Sequence, residues 1–240
     1  MATPSTSSGP PHEPNVICGQ FMCSKCVGKD DQCHSCRGMV RITYEKEKED
    51  GPVVKQFAQF IKDDPRFANC ILLAHNGEKY DHSFIIAELV EMTGVTPNLL
   101  LNGNQIISAE MTLGKDKKVI FKDTLQFLPM PLGQMPKAFG FEELEKGTFP
   151  YLYNHPDHYH TIRPTLPEKE YYDPDLMKPA AKEKFDVWYA ENANKPFNFD
   201  DEILRVLVEI DQAIFKLVFH FEVDVYVGVL LKCEMLGSDF

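Results

Sequence analysis

Three things are scarce in this sequence, and each scarcity narrows the possible answers. No run of eighteen apolar residues occurs in the 240, so a membrane-spanning helix is not expected. Positive charge is short: 25 Lys and Arg stand against 36 Asp and Glu, a net charge of −11. Binding nucleic acid by bulk electrostatics needs the opposite sign. Any nucleic-acid contact must therefore be local, through metal ions and stacking. The opening stretch, MATPSTSSGPPHEP, lacks the charged-then-apolar layout of a secretory leader. Its Ser, Thr, Pro and Gly cannot build a core, so residues 1–14 read as a disordered tail.

Cysteine, by contrast, is concentrated. Four of the seven cysteines fall in CSKCVGKDDQCHSC: Cys23, Cys26, Cys33 and Cys36. Two such knuckles can deliver four thiolates to one tetrahedral ion, which suits structural Zn²⁺ with no open coordination position. His34 could replace a thiolate, and an iron–sulfur cluster is the alternative metal centre. A disulfide pair or unrelated reduced thiols are the plainer readings; disulfides are disfavoured without a secretory leader. Residues 15–45 are taken as this four-cysteine zinc-knuckle segment.

Periodicity outlines the rest. VVKQFAQFIKD (53–63) has apolar residues at helical spacing, and CILLA (70–74) is a short buried-strand pattern. DHSFIIAELVEMTG (81–94) reads as a helix, with Asp81 as N-cap and Gly94 as stop. LLLN, NQIISAEMT and KVIFKDT read as strands, and in the last Val119, Phe121 and Asp123 share one face. PLGQMPKAFG and EELEKG read as short helices, followed by a Pro- and aromatic-rich loop from Tyr151. Helices are expected over 180–192 and 200–219, and a terminal strand over FEVDVYVGVLL. The order gives a mixed α/β fold, one sheet with flanking helices.

Asp81, Asp123 and Asp211 stand at strand ends or on a partly apolar helix face. Carboxylates gathered from distant segments hold divalent ions that activate water for phosphodiester hydrolysis. The plainer readings are that Asp81 caps its helix, Asp123 bonds to turn amides, and Asp211 pairs with Arg205 or Lys216. Tyr80 would then be a core-edge aromatic and Lys146 a solvated lysine.

Several stretches in order carry a resemblance: HEPNVIC, LLAHNGEKYDHSFI, LLLNGNQI, FKDTLQFLPMPLGQMPKAFGFEELEKGTFPYLYN and YYDPDLMKPAAKEKFDVWYAE. Together they resemble the 3′–5′ exonuclease domain of protein-primed family B DNA polymerases of organelles, viruses and mobile elements. The resemblance implies a ribonuclease-H-like fold over 46–220, with 221–240 the start of a truncated polymerase region. It implies that Asp81 and Asp211 bind Mg²⁺ if the site is active. Asn76 and Tyr80 would hold the 3′ end of a single strand, Tyr80 by stacking. Thr124 and Leu125 would contact the strand, Tyr151 would add a contact, and Lys146 would face the scissile phosphate.

Two departures matter. The family's first motif, Asp-x-Glu on a strand, should precede HEPNVIC, where TPSTSSGPP carries no acid. The Tyr of the third motif is replaced by Leu207. The expectation is a polymerase fragment with weak or no exonuclease activity, and a sheet edge lacking its partner strand. A non-enzymatic zinc-containing module that binds nucleic acid or protein, derived from a mobile element, is the alternative. Expected partners are single-stranded or primer-template DNA and a terminal-protein primer. Location is open within the cell, nucleus and organelle included.

Overall fold

The computed structural model describes residues 14–22, 40–44, 51–77, 81–103, 105–131, 134–140, 148–205 and 228–235. Outside them lie Cys23, Cys26, Cys33, Cys36, Tyr80, Lys146 and Asp211, with EELEKG and residues 206–227.

The strands are β1 (Pro14–Met22), β2 (Val40–Tyr44), β3 (Cys70–Ala74), β4 (Asn98–Asn102), β5 (Gln105–Leu113), β6 (Lys117–Asp123), β7 (Ile162–Arg163), β8 (Phe197–Asn198) and β9 (Gly228–Met235). The helices are α1 (Val53–Asp63), α2 (Asp81–Thr93), α3 (Met135–Phe139), α4 (Pro179–Asn192) and α5 (Phe199–Leu204). The long segment after Phe149 folds as short 3₁₀ turns, including Tyr151–Tyr153 and Lys169–Tyr172.

Four strands make a mixed sheet: β3 runs parallel to β6, and β6, β5 and β4 are antiparallel neighbours. The full order is β2-β1-β9-β3-β6-β5-β4. Two stretches within residues 15–45 thus belong to this sheet. β9 pairs with β3 in parallel and with β1 antiparallel, so β3 has a strand on each side. Of the expected terminal strand, the described part is Gly228–Met235; residues 221–227 lie outside the described residues.

Local chemistry explains the elements. α1 follows Pro52, whose carbonyl accepts the Gln56 N–H at 3.1 Å, and it buries Val53, Phe57, Ala58 and Ile61 at helical spacing. Its last turn is held from afar: Lys117 Nζ donates to the carbonyls of Ile61 (2.9 Å), Lys62 (2.9 Å) and Asp64 (2.6 Å). A cation at the carbonyl end of a helix satisfies orphan acceptors and complements the dipole. α2 ends where Gly94 takes a φ of +68° and its N–H reaches Val90 O at 2.8 Å. β3 has a strand on each side, which suits its unbroken apolar run.

β1 buries both faces. Ile17 and Phe21 enter a cluster with Phe57, Ile61, Phe67, Leu72, Ile85, Leu89 and Phe121. Val16 and Cys18 point the other way, into a cluster with Phe149, Tyr153, Phe197, Phe199 and Ile203.

Candidate nucleic-acid interface

The parallel strands β3 and β6 end side by side, with Ala74 opposite Asp123. Beyond Ala74 the chain turns through His75, Asn76 and Gly77 before α2. Asn76 takes the left-handed region at φ +63°, which asparagine tolerates. Its N–H donates to Asp123 Oδ1 at 2.9 Å, and the Leu125 N–H donates to the same oxygen at 2.8 Å. Asp123, 1% exposed, thereby ties the two strand ends together. Alternation puts it on the apolar face, and bonding to turn amides is what it does there.

Thr124 Oγ1 lies 2.9 Å from His75 Nδ1 and 3.3 Å from the Ala74 carbonyl. His75 Nε2 lies 3.0 Å from Met130 O. A carbonyl can only accept, so His75 Nε2 carries a proton towards Met130 and the Thr124 hydroxyl donates to the Ala74 carbonyl, with His75 Nδ1 also within hydrogen-bond reach of that oxygen. Burial pushes the His75 pKa down, against the carbonyl of Met130 and the charge of Asp123.

Gly77 has no room for a side chain: a Cβ would stand 2.5 Å from Ala74 Cβ and 3.2 Å from the His82 ring. The Gly77 carbonyl accepts the His82 N–H at 2.9 Å, fastening the start of α2 to the turn. His82 is fully buried, edge-on to Phe121 at 5.5 Å. Among the described residues, neither ring nitrogen has a hydrogen-bond partner. Burial pushes its pKa down to about 4, with Asp123 opposing. Helical spacing from His82 to Ile85, Ile86 and Leu89 put this ring on the apolar face of α2, a signal that sequence reading passed over.

Asp81 stands in the first turn of α2, and it is buried. An acid in the first turn faces the positive end of the helix dipole. Asn76 Oδ1 is buried with no hydrogen-bond partner among the described residues, a polar atom open to a donor.

The fold therefore gathers Asn76, Asp81, Thr124 and Leu125 at one end of the sheet. Tyr151 stands in the opposite-face cluster, its ring 5.3 Å from Phe149. Among the described residues, no group of three or more His, Cys, Asp or Glu could hold a metal ion. A divalent ion needs several oxygens at once, and one oxygen of Asp123 is spent on two amides. These residues alone do not fit Mg²⁺. Among the described residues, no helix is long and apolar enough to cross a membrane.

A family model described as DNA polymerase type B, organellar and viral, matches residues 67–207. That span holds Asn76, Asp81, Thr124, Leu125 and Tyr151 and omits the cysteine pairs and β9. No curated protein and no solved structure matches.

Proposed function

The chain belongs to the organellar and viral type B DNA polymerase family, and from that premise we propose that it acts at the 3′ end of DNA as a ribonuclease-H-like, exonuclease-type domain with weak or no hydrolysis. The observation that carries this is the convergence of Asn76, Asp81, Thr124 and Leu125 at the ends of β3 and β6. In this reading the Asn76 amide and the Tyr80 ring hold the terminal nucleotide of a single strand. Thr124 and Leu125 line its path, with Tyr151 as a further contact. Lys146 meets the terminal phosphate as a positive charge, and Asp81 and Asp211 are the remaining acids of the site. Weak hydrolysis is expected in this reading because TPSTSSGPP, where the Asp-x-Glu should fall, carries no acid. The four clustered cysteines would hold a structural Zn²⁺ apart from this chemistry.

The net charge of −11 favours one second reading, a zinc-containing module whose partner is protein.

The deciding experiment is degradation of a 3′-end-labelled single-stranded oligonucleotide with Mg²⁺ or Mn²⁺, beside Asp81→Ala, with binding measured in parallel over a salt series. The expected result is binding with at most trace trimming. Strong trimming abolished by Asp81→Ala would refute the loss of hydrolysis while keeping the lineage of the site. Absence of binding at low salt would remove the strand-end role and leave the protein-binding module.

A further inference from the structure

β4 ends the sheet. Its one strand neighbour is β5, and among the described residues nothing pairs with its outer edge. All five of its residues are exposed. Leu99, Leu100 and Leu101 are 41%, 59% and 50% exposed. Edge strands are normally guarded by charge, proline or a bulge that turns them away. β4 carries no charge and no proline, and the irregularity in its pairing gives the extra residue to β5, the inner strand.

The sequence of this edge reads the same in both directions: Asn98, Leu99, Leu100, Leu101, Asn102. An antiparallel pair of two such strands centred on Leu100 is two-fold symmetric. Leu99 faces the other copy's Leu101, Leu100 faces its counterpart, and Asn98 faces Asn102. Leucines meet leucines on both faces, and amides that can both donate and accept meet at the ends. Each copy carries −11, yet no like charges oppose one another along this strand. The sheet's other terminal strand, β2, contains Arg41 and has no such symmetry.

We propose that β4 is a homotypic docking edge, on which a second copy of this chain pairs antiparallel about Leu100 and joins the two sheets into one. Such an isologous contact closes on itself and gives a dimer, whereas β4 against β2 would give an open chain. Five residues on each side make a small interface, so the dimer is weak and reversible.

The test is sedimentation equilibrium of the whole chain over a micromolar dilution series, with three variants. The wild type is expected to show a monomer–dimer equilibrium and nothing larger. Asn98→Lys with Asn102→Lys sets lysine against lysine twice and weakens the dimer about tenfold. Asn98→Lys with Asn102→Asp sets lysine against aspartate twice and retains it. Leu100→Lys abolishes it. All positions are exposed, so thermal unfolding of each variant should match the wild type. A wild type that stays monomeric overturns the proposal. So do open-ended assemblies, or equal behaviour of the Lys/Lys and Lys/Asp variants.

Discussion

The two faces of β1 are packed by different means. On the helix side, α1 and α2 lay aliphatic residues and phenylalanines against β3 and β6 at regular spacing. On the other side, rings from short 3₁₀ turns meet one another. Tyr153 stacks on His158 at 4.0 Å and meets Tyr171 and Phe197 edge-on at 5.0 and 5.6 Å, while Phe199 sits 5.4 Å from Tyr159. The first arrangement repeats a pattern written in each element. The second exists only once distant turns have met, and polar groups help to fix it. Asn15 Nδ2 on β1 donates to Tyr159 OH at 2.7 Å and to Asn154 O at 3.2 Å. The helix side is a core any amphipathic element could join, and the other side is a fitted lid.

Because β1 supplies side chains to both, the faces should unfold together. Phe121→Ala removes a fully buried ring from the helix side and should cost about 3–5 kcal/mol. Phe199→Ala should cost a similar amount from the lid. Urea unfolding should show one transition for each variant. A second transition in Phe199→Ala alone would mean that the lid is a separate unit.

The next effect is one of pH. His82 titrates near 4 in the folded protein and at its ordinary 6.5 when unfolded. As pH falls from 6.5 towards 4, the unfolded chain takes the proton first, so stability drops through that window. Above 6.5 this contribution is fully present. The loss is roughly 3 kcal/mol at most, and unfolding of His82→Leu across the same window should show a smaller slope.

Asn15→Ala leaves two partners on the lid unmet, a loss of about 1–3 kcal/mol. Its unfolding midpoint should fall without a change in denaturant dependence. Lys117→Met takes the cation from the end of α1 and should cost about 1 kcal/mol. Hydrogen exchange should quicken first in the last turn of α1.

What was legible follows the same division. α1, β3, α2 and β6 were readable because each carries its pattern within itself, and Gly94 marks the end of α2 by backbone chemistry alone. The burial of Asp123 was readable from alternation, and so was its bonding to turn amides such as that of Leu125, two residues on; that Asn76 would share the same oxygen was not, since that amide arrives from another strand. β1 hid in the cysteine-rich segment because a strand buried on both faces shows no alternation. The place of β9 beside β3 depends on pairing across most of the chain, which no local window contains. His82 was visible on the apolar stripe of α2, yet its depressed pKa comes from the closeness of Gly77 and Phe121.

β9 also sets the order of events as the protein is made. It lies between β1 and β3, both synthesised long before it. At about 5–20 residues per second, β1 and β3 wait on the order of tens of seconds for their shared neighbour. During that interval the two halves of the sheet have no strand to join them. Closing so long a loop is slow, and the facing edges of β1 and β3 stay open to other strands until Gly228–Met235 arrives. A pulse of synthesis halted before Gly228 should therefore yield chains bound to chaperones, and release of the same chains after Met235 should let them go.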